Sequence, residues 1–309
     1  MDEILLVSSL LAAGIRLAVP IAFASIGETI SQRAGVINVG IEGIMLVGAF
    51  VAVWLTVISG NAWIGLFAAV VAGMVMAAIH AYFAVILKVE QIVAGIALLF
   101  FGLGISGYGF RLTIGAWGTA VPVPGFEQLN VLGMANVPVV GPILFGQHAL
   151  VYVMVGLTVL IAWMLRATRL GLIIKGAGDY PNAIDAVGIN VDRTRIICTV
   201  ASGAFAAVGG AFLSTAHLWG FVEGMTAGRG FLAIACVVFG RWNPVLGVII
   251  ALIFGIADAA QIRLQSYFPG IPYQFFVIVP YLVAILSIAI GSRRARTPAA
   301  LGVPFRKAV

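Results

Sequence analysis

The chain has 309 residues, of which 62% are hydrophobic and only 9% are charged, and its formal net charge is +6. An ordinary soluble domain carries about 25% charged residues, so this composition excludes a soluble globular protein and indicates a surface that faces lipid. The basic residues concentrate in the stretch 166–195 and the tail 292–309, a grouping beside apolar runs that is typical of cytoplasmic loops of membrane proteins and argues against a nucleic-acid partner.

Apolar runs recur along the whole chain, separated by Gly, Pro and charged residues. Nine runs are recognisable, at 4–26, 36–58, 63–87, 92–108, 149–165, 196–218, 231–240, 245–260 and 275–290. They lack the apolar–polar alternation that the strands of an outer-membrane barrel require. The sequence therefore predicts an all-α, polytopic membrane protein with about nine membrane-spanning segments, within a range of eight to ten.

If both basic segments lie on the cytoplasmic side and all nine runs cross the membrane, the number of crossings is odd and the two ends of the chain lie on opposite sides. With nine crossings, the N-terminus lies outside and the C-terminus lies in the cytoplasm. The whole chain, 1–309, is then one transmembrane domain that carries the loop 166–195 and the basic tail 292–309 on its cytoplasmic face.

Small residues recur at a spacing of four in two of the runs. Gly73 and Ala77 belong to one such stripe, and Ala206 and Gly210 belong to the other. Stripes of this kind allow helix backbones to approach closely, so we expect a tightly packed bundle.

The segment 27–45 brings polar side chains into an apolar stretch. Asn38 and Glu42 are four residues apart, and on one continuous helix they share a face that Met45 extends. An ionisable residue inside a span is costly and usually faces the bundle interior or a cavity, so we expect these side chains to line or brace a pathway. The alternative is that Glu42 only accepts structural hydrogen bonds.

The run 231–240 is too short to cross a membrane, and Arg241–Pro244 follow it directly. Either 228–230 extends this helix, or the two segments form a broken, re-entrant hairpin. Broken helices at membrane depth occur where protein or a water-filled cavity covers the free backbone groups. We therefore expect Gly230 and Phe231 to lie near a gate. The charges of Arg16 and Asp258, also within apolar runs, either pair structurally or take part in transport.

The loop 166–195 contains a short predicted helix. Asp179 is its predicted N-cap, Pro181 lies in the first turn, and Gly188 follows its end. Such a helix between basic flanks suits either a solvated linker or a docking element for a partner.

Three sequence strings together resemble the permease subunits of bacterial ABC importers in the branched-chain amino acid, ribose and nucleoside class. They are AGVINVGIEGIMLVGAF at 34–50, GDYPNAIDAVGI at 178–189 and GRGFLAIACVVFGRWNPVLG at 228–247. The form of the first string is most similar to nucleoside and simple-sugar permeases. The resemblance spans about 27–291, and the strings occur in the family's order.

The resemblance implies that the short helix in 166–195 is a coupling helix that contacts a separate ATPase subunit. Its residues are Asp179, Pro181, Ala183, Asp185, Gly188 and Ile189. It also implies a second permease subunit, which forms a heterodimer or a homodimer with this chain, and an external solute-binding lipoprotein. The chain has no Walker-type Gly-Lys pair, no metal-ligand spacing and no hydrolase elbow. We therefore expect no enzyme activity and no cofactor in this chain, with ATP and Mg bound by the partner ATPase.

These observations predict a permease in the bacterial inner membrane that forms the translocation path for a nucleoside or a simple sugar. A branched-chain amino acid permease is the alternative within the class. An ion-gradient secondary transporter that uses Glu42 or Asp258 is the alternative outside it.

Overall fold

The computed structural model describes residues 2–117, 123–130, 133–134, 137, 139–268, 270, 275–276, 278, 282 and 296–307. Ten α-helices lie in these ranges. They are α1 (Asp2–Arg33), α2 (Ile41–Ser59), α3 (Ala62–Ala81), α4 (Gln91–Leu112), α5 (Ala149–Ala167), α6 (Arg169–Asp179), α7 (Pro181–Ala186), α8 (Val191–Phe212), α9 (Arg229–Phe239) and α10 (Pro244–Tyr267).

Seven helices in the described part of the chain are long and apolar enough to cross a membrane, namely α1, α2, α3, α4, α5, α8 and α10. The all-α, polytopic prediction is confirmed. The predicted run 231–240 corresponds to α9, which has only 11 residues. Most of the predicted run 275–290 lies outside the described residues.

The long helices α1 and α8 form the centre of the bundle. The helix α1 packs against α8, α9 and α10, and α8 packs against α1, α2 and α3. The predicted small-residue stripes lie at these interfaces: a Cβ atom added to Gly73 would lie 2.4 Å from the carbonyl oxygen of Gly203, and one on Gly210 would meet the carbonyl of Met45. The close packing of α8 against α2 and α3 therefore depends on glycine, as predicted.

The helices α1 and α2 are joined by a non-helical link, residues 34–40. The helix α1 continues to Arg33, and the chain then turns at Gly35, whose φ of +98° is accessible to glycine. Asn38 therefore lies in the link, and the prediction that Asn38 and Glu42 share a helix face is wrong. The physical reason is that α1 does not end with its apolar run but continues through Gly27 to Arg33, so the chain turns only at Gly35 and the second helix begins only at Ile41.

The helix α9 starts inside the bundle. It rises only about 16 Å, roughly half the thickness of a hydrocarbon core. Its far end is fixed beside the last residue of α1, where the Arg33 guanidinium donates to the backbone carbonyl of Trp242 over 2.9 Å. The residues 218–228, which connect α8 to α9, are non-helical turns that bury Phe221, Met225 and Thr226. The first alternative is confirmed in part: α9 extends to Arg229, but with 11 residues it is still too short to span a membrane.

The loop 166–195 folds into two helices, α6 and α7, at one end of the bundle, which we call the α7 end. The prediction of Asp179 as an N-cap is wrong, because α6 continues through Asp179 and Tyr180 precedes α7 without a capping side chain. The Asp179 carboxylate instead accepts a hydrogen bond from the backbone N–H of Ala299 in the tail. The predicted end of the helix is confirmed, since α7 ends at Ala186 and Gly188 has a φ of +83°.

Candidate functional site

The carboxyl group of Glu42 binds the N-terminus of the broken helix α9. It accepts hydrogen bonds from the backbone N–H of Gly228 over 2.8 Å, from that of Gly230 over 2.6 Å and from the Thr226 hydroxyl over 2.5 Å. The first N–H groups of a helix have no partner within it, and the N-cap residue Gly228 offers no side chain. Glu42, on α2, therefore supplies the cap that α9 lacks, at the positive end of its helix dipole.

Glycine at position 230 makes this approach possible. A Cβ atom there would lie 2.7 Å from the Cα, the backbone N and the Oε2 atoms of Glu42. Both residues are buried, Glu42 at 5% exposure. The contact between α2 and α9 is thus a backbone-level contact that a larger residue at 230 would open.

A second buried carboxyl group, that of Glu28 on α1, holds the link 34–40. Its Oε1 accepts from the Gln32 side chain and from the backbone N–H of Asn38, each over 3.0 Å, and its Oε2 accepts from the Ser202 hydroxyl of α8 over 3.2 Å. Glu28, Gln32 and Ser202 are at most 2% exposed. This network joins α1, the link and α8. Its contact in the link, Asn38, lies four residues before Glu42, which caps α9.

The turn between α9 and α10 is strained and is held by α1. Arg241 and Trp242 both have positive φ angles, +54° and +55°, which cost about 1–2 kcal/mol each in non-glycine residues. The Trp242 indole N–H donates to Gln32 over 2.7 Å, and Arg33 donates to the carbonyls of both turn residues. Strained backbone that its surroundings hold in place is common at switch regions.

A polar cavity of about 360 Å³ lies at the end of the bundle opposite α7. Arg16, Glu127, His148, His217 and Trp219 are among its lining residues. His148 precedes α5, and its Nδ1 atom lies 2.9 Å from the carbonyl oxygen of Phe126. Burial lowers the pKa of His148, and the nearby guanidinium of Arg16 lowers it further, so the ring favours the neutral state.

The first residue of α9 pairs with α10. Arg229 donates to Asp258 over 3.3 Å, and both side chains are partly exposed. A second guanidinium nitrogen of Arg229 donates to the carbonyls of Met225 and Thr226. Asp258 thus has a cationic partner, and Glu42 has three donors, so neither carboxylate predicted for ion coupling stands free of partners.

The α7 end of the bundle is tied to α1 by close backbone packing. A Cβ atom on Gly178, near the end of α6, would lie 2.2 Å from the carbonyl oxygen of Arg33. The tail also contacts this region, since the N–H of Gly302 donates to the carbonyl of Gly35 over 3.1 Å. The α6–α7 unit therefore rests on the junction between α1 and the link 34–40.

The predicted pathway residues occupy two different environments. Asn38, Glu42, Met45 and Gly230 are buried, whereas Phe231 is 44% exposed at the surface of the bundle. The structure brings Glu42 and Gly230 together but leaves the side-chain nitrogen and oxygen of Asn38 without partners among the described residues.

The predicted coupling residues all lie at the α7 end. Pro181, Ala183 and Asp185 are on α7, and Asp179, Gly188 and Ile189 flank it. The Asp185 carboxylate lies 3.8 Å from the Lys307 ammonium of the tail, and the backbone N–H of Ile189 donates to the carbonyl of Ile184.

Three residues of this site, Glu28, Gln32 and Thr226, are not predicted from the sequence. Glu28 and Gln32 follow the apolar run 4–26 and resemble linker residues. The signal that could identify them is their spacing of four, which places both side chains on one face of α1 because the helix continues to Arg33.

The chain is similar in sequence to known membrane permeases. Residues 10–288 match the family model described as the permease component of branched-chain amino acid transport systems. A guanosine ABC transporter permease protein of Bacillus subtilis is 33% identical over 99% of both chains. A nucleoside ABC transporter permease protein of Lactococcus lactis is 32% identical over 93% of both chains. A putative glucose ABC transporter permease protein of Haloferax volcanii is 36% identical over 84% of this chain and 78% of its own.

Because the family model covers most of the chain and two relatives align almost end to end, the chain belongs to the family of permease components of branched-chain amino acid transport systems.

Proposed function

We propose that this chain is the permease subunit of an ATP-driven importer that carries a nucleoside or a simple sugar across the bacterial inner membrane. The relatives named above are described for guanosine, nucleosides and glucose, which are neutral, hydroxyl-rich solutes. The α7 end is cytoplasmic, the N-terminus lies outside, and hydrolysis of ATP with Mg takes place on a separate ATPase subunit.

The observation that carries the solute class is the occupancy of the α9 N-terminus. In transporters with broken helices, a half-helix N-terminus inside the membrane attracts anionic groups of the substrate. Here the chain's own Glu42 already fills that position with three hydrogen bonds. A solute carboxylate, such as that of a branched-chain amino acid, would meet a carboxylate there, whereas a neutral nucleoside or sugar meets no such repulsion.

The pathway lies between this chain and a second permease, which is a different subunit or a second copy. Phe231 is exposed on the bundle surface one residue after the buried Gly230, so the face of α9 that carries it is available to the second subunit and the solute. Glu42, Met45 and Asn38 brace this helix from inside. An external solute-binding lipoprotein delivers the solute to the opposite end.

The conformational change of the ATPase is transmitted to the pathway through α1. Movement of the ATPase displaces α7, and the tight contact between Gly178 and Arg33 passes the displacement to the end of α1. Arg33 and Gln32 hold the strained turn after α9, and Glu28 holds the link that leads to Glu42. Both ends of α9 are thus connected to the end of α1, one directly through the turn after α9 and the other through the link and Glu42. Alternating access requires that the ATP-bound and ATP-free partner stabilise different positions of α1.

The test is reconstitution of the chain in proteoliposomes with its ATPase, second permease and lipoprotein. We expect ATP-dependent accumulation of labelled guanosine or glucose and none of labelled leucine. Accumulation of leucine would overturn the solute class. Uptake by this chain alone, driven by an ion gradient without ATP, would overturn the importer assignment.

A further inference from the structure

A second cavity, of about 310 Å³, lies at the α7 end of the bundle. Four cationic side chains line it: Arg33 of α1, Arg166 of α5, Lys175 of α6 and Arg241 of the α9–α10 turn. None of the described residues that line it is acidic, and none of these cations forms an ion pair with another described residue. The proposed transport function uses Arg33 and the turn after α9 for their contacts with each other, but it assigns no ligand to this cavity.

The cations are close enough to affect each other. The pKa of Lys175, which lies outside the membrane-spanning helices, is lowered by burial and by the nearby positive charges of Arg33 and Arg166, and the carboxylate of Asp179 opposes this only in part. Four like charges around one space repel each other unless an anion joins them. The cavity therefore favours the binding of an anion that compensates these positive charges.

The start of α10 adds to the positive potential. Asn243 and Pro244 line the same cavity, and Asn243 is the N-cap of this 24-residue helix. A helix N-terminus carries about half a positive charge. Pro244 has no N–H, and the Asn243 side chain already accepts from the N–H of Val245, so this helix end contributes positive potential to the cavity. The combination of guanidinium groups, an ammonium group and a helix N-terminus matches a phosphate better than a carboxylate, because a phosphate has more oxygens to accept hydrogen bonds.

Part of the lining of the cavity is apolar and reaches into the membrane layer. Ala162 and Leu165 of α5 form part of it, and Ala162 lies five residues before the end of that helix, about 7 Å into the span. Leu246 of α10 also lines the cavity and is 40% exposed. A ligand with an anionic head and an acyl chain can contact both the cations and the apolar lining residues, whereas free phosphate can contact only the cations.

We propose that this cavity, enclosed by α1, α5, α6 and the α9–α10 turn, binds the phosphate headgroup of an anionic phospholipid. Basic pockets between membrane helices on the cytoplasmic side are suited to such headgroups. The bound lipid joins the strained turn after α9 to Arg166 of α5 and Lys175 of α6.

The test uses the full chain, purified in nonionic detergent with the subunits that accompany it, and native mass spectrometry to count bound lipid. Phosphatidylglycerol is titrated against phosphatidylcholine, and inorganic phosphate is added as a competitor. We expect preferential retention of phosphatidylglycerol. In the double variant Arg166→Gln, Lys175→Gln its apparent affinity falls about thirtyfold, because each basic group near an anionic lipid makes a similar contribution.

The matched control is Arg169→Gln, Arg193→Gln, which removes two exposed basic groups from the same end but outside the cavity. It should retain phosphatidylglycerol like the unmodified chain. If the double variant does not purify, Arg166→Gln alone suffices, since that side chain is exposed and should lower the affinity about fivefold. Equal retention in variant and unmodified chain overturns the proposal, as does displacement of the lipid by inorganic phosphate at matched concentration. The readout is binding, so it is independent of which solute the chain transports.

Discussion

The buried guanidinium of Arg195 on α8 donates a 2.7 Å hydrogen bond to the backbone carbonyl of Val303 in the tail. A second nitrogen of the same group donates to the carbonyl of Ala177 on α6. Arg195 is 1% exposed, its bond to Ala177 is buried and its bond to Val303 is partly buried. Phe305 packs beside Ala177, and together these contacts fix residues 296–307 across the base of the α6–α7 unit. The basic tail is therefore part of the structure that positions α7.

Replacing Arg195 with Met removes both donors and retains much of the side-chain volume. We expect the chain to lose about 1–3 kcal/mol of stability, because the carbonyl groups of Val303 and Ala177 lose their donor and the bond to Ala177 is buried. Thermal unfolding in detergent measures this loss, and limited proteolysis should then cut within 296–307. Arg193→Met, on an exposed position of the same helix, is the control and should leave both measurements unchanged.

The helical class follows from composition and run length alone, because about 20 apolar residues admit few structures other than a membrane helix. The predicted count of nine spans is not confirmed, since seven helices of the described part are long and apolar enough to cross. The helix ends do not follow. Glu28 and Gln32 continue α1 beyond its apolar run, since their polar groups find partners in Ser202 and Trp242, more than 170 residues away. Sequence patterns report local periodicity and contain no such distant partner.

The candidate site was predictable in part for the same reason. A carboxylate within a span must find donors, so Glu42 was identifiable from the sequence. Which donors it finds depends on the interruption before α9, and the interruption was predicted only as one of two alternatives. The Asp179 error has a similar origin: an Asp before a Pro favours an N-cap, but the tail's Ala299 N–H competes for its carboxylate.

The coupling role of α7 is tested most sharply at Val187. This side chain follows α7 and is 70% exposed, whereas Gly188 has a left-handed backbone conformation that any larger residue would strain. We expect Val187→Asp to reduce co-purification of the ATPase about tenfold or more, because it places an unpaired charge in an apolar contact. Binding of solute to the external lipoprotein should remain intact.

The control for this variant is Val222→Asp, which introduces the same charge at a valine that is 62% exposed near the opposite end of the bundle. It should retain the ATPase. If Val187→Asp also retains the ATPase and supports full transport, α7 is a solvated linker and the coupling assignment is wrong.

Arg111 and Glu223 connect the end of α4 to the segment 218–228 through two hydrogen bonds, of 2.7 and 2.8 Å. Both side chains are exposed, so we expect little effect on stability but an effect on the movement of this segment. Hydrogen bonding to Arg111 lowers the pKa of Glu223 below its ordinary value of 4.5. The ion pair of Arg111 and Glu223 exists at pH values above this lowered pKa and is lost only as the pH falls through it. Acidification to about pH 5 should therefore leave the contact intact.

We expect Arg111→Glu and Glu223→Arg each to change the rate of ATP-driven uptake about two- to fivefold, through repulsion of like charges. The double exchange should restore the original rate, because it re-forms the pair in reverse. Failure of the double exchange to recover activity would show that the two residues act independently. Unchanged uptake in both single variants would show that the contact has no part in transport.

The cap that Glu42 provides to α9 makes a prediction for Glu42→Gln and Thr226→Val. An amide has one acceptor oxygen in place of two, and its NH₂ group would face backbone N–H donors of Gly228 or Gly230, so the start of α9 should lose at least one hydrogen bond. We expect ATP-driven uptake to fall about tenfold or more in Glu42→Gln, while its level in the membrane changes less.

Thr226→Val removes one of the three donors and should have a smaller effect. Its control, Thr158→Val, removes a buried hydroxyl that bonds only to the carbonyl of Met154 in its own helix, and it should transport normally. Normal uptake in Glu42→Gln, with an unchanged pH profile, would mean that the cap is structural and does not take part in the transport cycle.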